Sequence, residues 1–142
     1  MVIEWKIIGA NLHKIIEKVV SAEDFVRLRK VSGLTPRSLL AAQKALPNSL
    51  YGVHMTLNNE VIGMARVVGD GALNFDIVDV AVDPKHQGQG YGTMLMEYVM
   101  SYIDQSAMPT AYITLMADVP ELYLKFGFKL SRPKSEGMYI VK

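Results

Sequence analysis

The chain has 142 residues, half of them hydrophobic and a fifth charged, which suits one packed domain and argues against disorder. Fifteen Lys and Arg stand against fourteen Asp and Glu, so no overall field draws in nucleic acid or an anionic membrane. There is no Cys, which excludes disulfides and thiolate chemistry, and His13, His54 and His86 are too scattered to suggest a metal site. The amino end carries Glu4 and no long apolar run, and no stretch approaches the roughly 20 apolar residues of a membrane span. The expectation is a cytoplasmic protein, one domain over 1–142 with its core from about residue 15.

Two β-like runs come first, Val2–Ile8 and Ile15–Val20, around Gly9-Ala10-Asn11. The first is either a strand of the core or an appendage. Ser21-Ala22-Glu23-Asp24 then reads as a helix start, because the Ser hydroxyl can accept a first-turn N–H and carboxylates favour that end of the dipole. Phe25, Leu28 and Val31 supply the apolar stripe and Gly33 the stop. A second helix is predicted to open at Thr35-Pro36, with Thr35 as cap, and to close at Pro47-Asn48.

The period then changes from helical to alternating. Leu50–Leu57 and Val61–Val68 read as strands joined by a tight Asn58-Asn59 turn, and Gly69-Asp70-Gly71 makes a second turn. Asn74–Val82 is apolar on both faces and is predicted to be a central strand. Strict alternation along it puts Asp76 and Asp79 on opposite faces. After Asp83-Pro84 comes the polar loop Lys85-His86-Gln87-Gly88-Gln89-Gly90-Tyr91-Gly92, then a helix to about Gln105 and a strand at Ala111–Met116. Strand, loop, helix and strand form one crossover with parallel strands. A short helix at Pro120–Lys125 and closing strands at Phe128–Leu130 and Met138–Val141 complete the prediction. The fold class is α/β (α+β): a mixed, mostly antiparallel sheet with that crossover and helices on both faces.

A strand followed by a glycine loop and a helix binds phosphate groups through free first-turn N–H groups and the helix dipole. A Walker A loop would need Lys after the last glycine, and a dinucleotide fingerprint needs Gly-x-Gly-x-x-Gly. Gly88, Gly90 and Gly92 are spaced Gly-x-Gly-x-Gly, and they match neither. Three glycines within five residues still exceed what an ordinary surface turn requires.

Val80-Ala81-Val82-Asp83-Pro84-Lys85-His86-Gln87-Gly88-Gln89-Gly90-Tyr91-Gly92 resembles the acetyl-CoA motif of the GCN5-related N-acetyltransferases, with Gln87, Gly90 and Gly92 at its defining positions. Tyr123-Leu124-Lys125-Phe126-Gly127-Phe128 is similar to a second signature of that superfamily, and the two lie in the expected order. Within the superfamily, Glu60–Arg66, Ile77–Pro84 and Gly137-Met138-Tyr139 look closest to a bacterial and plastid arylalkylamine branch that includes plant serotonin N-acetyltransferases.

The resemblance implies that the strand Asn74–Val82 splays from Ala111–Met116 to admit the pantetheine arm of acetyl-CoA, with the backbone of Val80, Ala81 and Val82 beside it. The amides of Gln87, Gly88, Gln89, Gly90, Tyr91, Gly92 and Thr93 would cradle the pyrophosphate. Tyr123 would protonate the departing thiolate, since an ordinary Tyr with a pKa of about 10 holds its proton at neutral pH. Packing is the alternative for a lone Tyr on a short helix. Asp79 is the candidate general base, against a structural hydrogen bond. Arg66 would bind a substrate carboxylate or pair with Asp76 or Asp79, and His54 would act on the substrate through water or be a satisfied structural residue. Many relatives carry Asn seven residues before the Tyr, where this chain has Met116. The implied acceptor is a small primary amine, with a peptide amine or a non-catalytic acyl-CoA-binding module as alternatives. A homodimer is the implied assembly, and without Cys the transfer would run directly from CoA to amine.

Overall fold

The computed structural model describes residues 3–8 and 11–142, and the turn expected at Gly9-Ala10 lies outside them. Strands β1 (Ile3–Ile8) and β2 (Asn11–Ile16) form a hairpin, followed by helices α1 (Ala22–Val31) and α2 (Leu39–Ala45). Strands β3 (Tyr51–Leu57), β4 (Glu60–Gly69) and β5 (Asn74–Val82) then make the meander. Helix α3 (Tyr91–Ser106) crosses to β6 (Tyr112–Leu115), and α4 (Pro120–Leu124) follows. The six strands pair in chain order, antiparallel except for the parallel β5–β6 pair.

Helix α3 covers one sheet face, where Leu95, Met96, Val99 and Ile103 pack on Val53, Val67, Phe75 and Ile77. Helices α1 and α2 cover the other, where Phe25, Leu28 and Ala42 meet Met64 and Ala81. Burial on both faces explains why Gly52–Thr56 of β3 is buried throughout instead of on one side only.

Ser21 caps α1 as expected, accepting the Asp24 N–H at 3.2 Å, and Gly33 follows its end at φ +80°. The second helix begins later than predicted. Ser38, not Thr35, is its cap, accepting from the Ala41 N–H at 3.1 Å. The Thr35 carbonyl, which a capping residue would offer to its own helix, instead accepts Arg29 Nε at 2.7 Å. The helix stops at Ala45, and a single 3-10 turn, Leu46–Asn48, carries the chain on.

Two strand expectations are also corrected. The second strand ends at Ile16, because a turn closed by Lys18 N–H on the Ile16 carbonyl lifts the chain off the sheet. Val19 then crosses so close to Gly52 that a Cβ there would lie 2.6 Å from it, so only glycine permits the crossing. The closing strands expected at Phe128–Leu130 and Met138–Val141 do not form. The chain turns between Ser131 and Ser135, and Met138, Tyr139, Ile140 and Val141 stay exposed, with no strand of the described residues across from them.

Candidate active site

The site is set by an irregularity in β5. Along β4, Met64 faces Ala81 and Arg66 faces Val78, so Ala65 stands opposite two residues, Asp79 and Val80. That is a β-bulge on β5, with Asp79 in the left-handed region at φ +58°. The extra residue reverses the strand's alternation. Before it Phe75 and Ile77 enter the α3 core, whereas after it Val80 and Val82 pack there and Ala81 turns to the α1 cluster.

Asp76 and Asp79 therefore share a face, contrary to the alternation rule. Asp76 lies opposite Val68 and Val78 opposite Arg66, which puts Asp76 on the Arg66 side, and Arg66 itself binds Asp79. Their surroundings differ. Asp79 is only 7% exposed at its side chain; Oδ1 accepts Arg29 Nη1 at 2.6 Å and Oδ2 accepts Arg66 Nε at 2.5 Å. Both guanidinium groups also lie near the Phe25 ring, 5.9 and 5.8 Å from its centroid. Asp76 is half-buried and near Thr114 Oγ1 of β6 at 3.4 Å. Burial raises its carboxyl above the usual range, the Thr114 hydrogen bond opposes this, and the charge of Asp79 adds to it.

Arg66 also donates from Nη1 to Ser49 Oγ at 3.0 Å, and of its two expected roles the structure displays the ionic pairing with Asp79. His54 lies on the same face, but its Nδ1 is engaged by the Lys18 carbonyl at 2.7 Å. Burial lowers its pKa, and that hydrogen bond acts in the opposite direction. The crevice between Phe25, Met64, Arg66 and Asp79 is too narrow for a water molecule.

Beyond the bulge β5 loses a neighbour. Its parallel pairing with β6 runs from Asn74 to Ile77 and stops, while β5 continues to Val82. Among the described residues, the edge of Val78–Val82 facing away from β4 thus has no strand beside it. The glycine loop follows directly. Asp83 anchors its start by accepting Lys85 N–H at 2.9 Å, and Gln87 Nε2 reaches back to the Val82 carbonyl at 2.9 Å. Gly88 and Gly90 adopt φ of +76° and +85°, and a Cβ on either would meet nothing within 4 Å, which leaves that surface open to a ligand. The first α3 hydrogen bond runs from Met94 N–H to the Gly90 carbonyl, so Tyr91, Gly92 and Thr93 have no helical acceptor for their N–H groups. Free amides at the positive end of a 16-residue helix suit an anion.

Tyr123 is buried on α4, with its ring edge-on to Phe128 at 6.3 Å. With Leu115 and Met116 it lines an open cleft of about 1400 Å³ bounded by α3, β6 and the segment after α4. Burial, and secondly the charge of Asp118, raise the pKa of its hydroxyl, so the group holds its proton at neutral pH. A Cβ on Gly92 would lie 3.5 Å from Leu122 Cδ2, which sets α4 against the start of α3.

A model of the acetyltransferase (GNAT) domain matches residues 49–130, more than half of the chain. The chain belongs to the GNAT acetyltransferase family. A probable acetyltransferase of unknown function, SA2161 from meticillin-resistant Staphylococcus aureus, is 42% identical with a TM-score of 0.88 over 92% of this chain and 99% of that one. The uncharacterized N-acetyltransferase ycf52 of Gracilaria tenuistipitata var. liui is 30% identical over 91% of this chain and 73% of its own length. The histone acetyltransferase TAP1 of Glycine max is 34% identical over 79% of this chain, which spans only 48% of the soybean protein.

Seen as a GNAT domain, the matched span holds the bulge, the unpaired end of β5, the glycine loop and Tyr123. Asp76 and Arg29 are the side chains that sequence reasoning missed as members of the site. Asp76 shares a face with Asp79 where alternation predicts opposite faces, and nothing in the sequence around Arg29 sets it apart from the neighbouring Arg27 and Lys30. Among the described residues no group of three or more His, Asp or Glu is arranged to hold a metal ion, and no helix is long and apolar enough to cross a membrane.

Proposed function

We propose that this GNAT protein transfers an acetyl group from acetyl-CoA directly to a primary amine, with a small-molecule amine as the preferred acceptor. The reading rests on one observation: β5 loses its neighbour at Ile77 and leads, still unpaired on that side, into a glycine loop with open amides. The backbone of Val80 to Val82 would hold the pantetheine arm as a substitute strand. The amides from Gln87 to Thr93 would take the pyrophosphate.

The chemistry follows from the groups around that opening. The amine nitrogen attacks the thioester carbonyl carbon, whose oxygen develops negative charge toward a backbone N–H near Val80. The C–S bond then breaks, and Tyr123 gives its proton to the departing thiolate. We assign the base to Asp76, through water, in place of Asp79. Both oxygens of Asp79 already hold guanidinium hydrogens, whereas Asp76 is half-buried, has no ion-pair partner among the described residues and has a raised pKa. Asp79, Arg29 and Arg66 form the wall of the acceptor side. With no Cys in the chain, no acetyl-cysteine can form, which supports direct transfer.

A protein amine is the second reading, favoured by the name of the soybean histone acetyltransferase relative. The test combines thermal shift with acetyl-CoA and a thiol-release assay over arylalkylamines, polyamines, amino acids and a lysine-bearing histone peptide. Stabilisation of about 2.7 kcal/mol is expected at a hundredfold excess over Kd. Release with small amines supports the first acceptor class and release with the peptide alone the second. Absence of stabilisation, or its survival in Gly90→Glu, would sink the donor site.

A further inference from the structure

One side chain joins the amino-terminal hairpin, which lies outside the family match, to the glycine loop. His13 on β2 is 2% exposed, and its Nε2 lies 2.8 Å from the hydroxyl of Tyr91, the 3%-exposed residue that opens α3. The two rings pack at 4.9 Å between centroids. The Tyr91 hydroxyl in turn donates to Gln89 Oε1 at 3.1 Å. A phenol has a single proton, so with that proton given to Gln89 its oxygen accepts from His13 Nε2–H. The chain of donation thus has one direction, from β2 through α3 into the loop.

This arrangement leaves a cost behind. His13 Nδ1 is the one buried side-chain nitrogen or oxygen among the described residues without a hydrogen-bond partner. A buried polar atom left unpaired is destabilising, and an aliphatic side chain would fill the same space without it. What the imidazole supplies that a leucine cannot is the donor to Tyr91. The loop needs such an anchor, because Gly88 and Gly90 both sit at left-handed φ and restrain the backbone little. Gln87 ties one side of the loop to Val82, and Gln89 ties the other to Tyr91 and His13.

We infer that His13 is a positioning residue for the cofactor: acting through Tyr91 and Gln89, it holds the glycine loop in the form that receives the pyrophosphate. The inference rests on the acetyl-CoA reading and adds the hairpin to the machinery of that site. Ordering the loop in advance removes part of the entropy loss on binding.

The experiment measures calorimetric affinity for acetyl-CoA and for acetylpantetheine, which keeps the thioester and lacks the pyrophosphate, in wild type, His13→Leu and Tyr91→Phe. Tyr91→Phe keeps the ring and removes only the hydroxyl, so it answers the question even if His13→Leu folds poorly. The expected result is an acetyl-CoA Kd raised about tenfold in both variants, with the acetylpantetheine Kd within about twofold of wild type. The unliganded melting temperature of His13→Leu should not fall, since the orphaned nitrogen is gone. An unchanged acetyl-CoA Kd, or an equal loss with both donors, would overturn the role of His13. Failure of wild type to bind acetyl-CoA would instead overturn the donor reading beneath it.

Discussion

The two halves of β5 are made of the same kinds of residue and behave differently. From Asn74 to Ile77 the strand is regular and has β4 on one side and β6 on the other. From Asp79 to Val82 it is bulged, begins with a left-handed residue and keeps only β4. Each half also carries an aspartate. In the bulged half the carboxylate is clamped by two guanidinium groups, and in the regular half it faces Thr114 without a clamp. Backbone groups become available to a ligand where pairing fails, while a carboxylate stays available for proton transfer only where no cation has claimed it.

Substitutions at three positions would break or sharpen that contrast. The largest effect is expected from Asp79→Ala, which leaves the buried guanidinium of Arg29 and the nearly buried one of Arg66 without their anion. Removing one partner of a buried ion pair typically costs about 3–5 kcal/mol, to be read from urea unfolding. A loss below about 1 kcal/mol would mean that the clamp is structurally idle and that Asp79 is free for chemistry.

Asp76→Asn should leave folding nearly intact and lower kcat/KM about a hundredfold, the lower end for loss of a general base. Because burial raises the Asp76 carboxyl, wild-type kcat/KM should fall on acidification at a pH above the usual carboxylate range and level off above it. The variant should lose that limb of the profile. Equal activity losses in Asp76→Asn and Asp79→Asn would erase the distinction between the halves.

The smallest effect is expected from Tyr123→Phe. It should lower kcat about tenfold with acetyl-CoA affinity unchanged, because the ring still packs while the donor to the thiolate is gone. Steady-state kinetics beside calorimetry separate the two quantities. Unaltered turnover would make Tyr123 a packing residue against Phe128.

Much of this was legible in the sequence between residues 49 and 130. Alternation drew β3 and β4, Asn58-Asn59 and Gly69-Asp70-Gly71 marked their turns, and the three glycines marked the start of α3. The bulge was not legible, because Ile77-Val78-Asp79-Val80-Ala81-Val82 is apolar on both sides of its aspartate. A strand buried on both faces shows no change of phase when its parity reverses. The same ambiguity hid Asp76. The end of β2 was missed because Val19 and Val20 continue its apolar run after the chain has left the sheet. Arg29 and His13 were invisible for another reason: the groups that give them meaning lie 50 and 78 residues away, on Asp79 and Tyr91.

The bulge also has a consequence for how this strand can change. Deleting the residue at 79 would straighten β5 and keep the faces downstream, because Val80 alone would then stand opposite Ala65, whereas regular pairing of all nine residues would exchange those faces, sending Val80 and Val82 toward α1 and Ala81 toward α3. A single-residue insertion upstream would do the same to Phe75 and Ile77. By contrast, swaps of one aliphatic for another at Val80 or Val82 leave the backbone path untouched. The segment is therefore permissive toward aliphatic identity and strict about its one extra residue, which makes the bulge and carries the carboxylate held by Arg29 and Arg66.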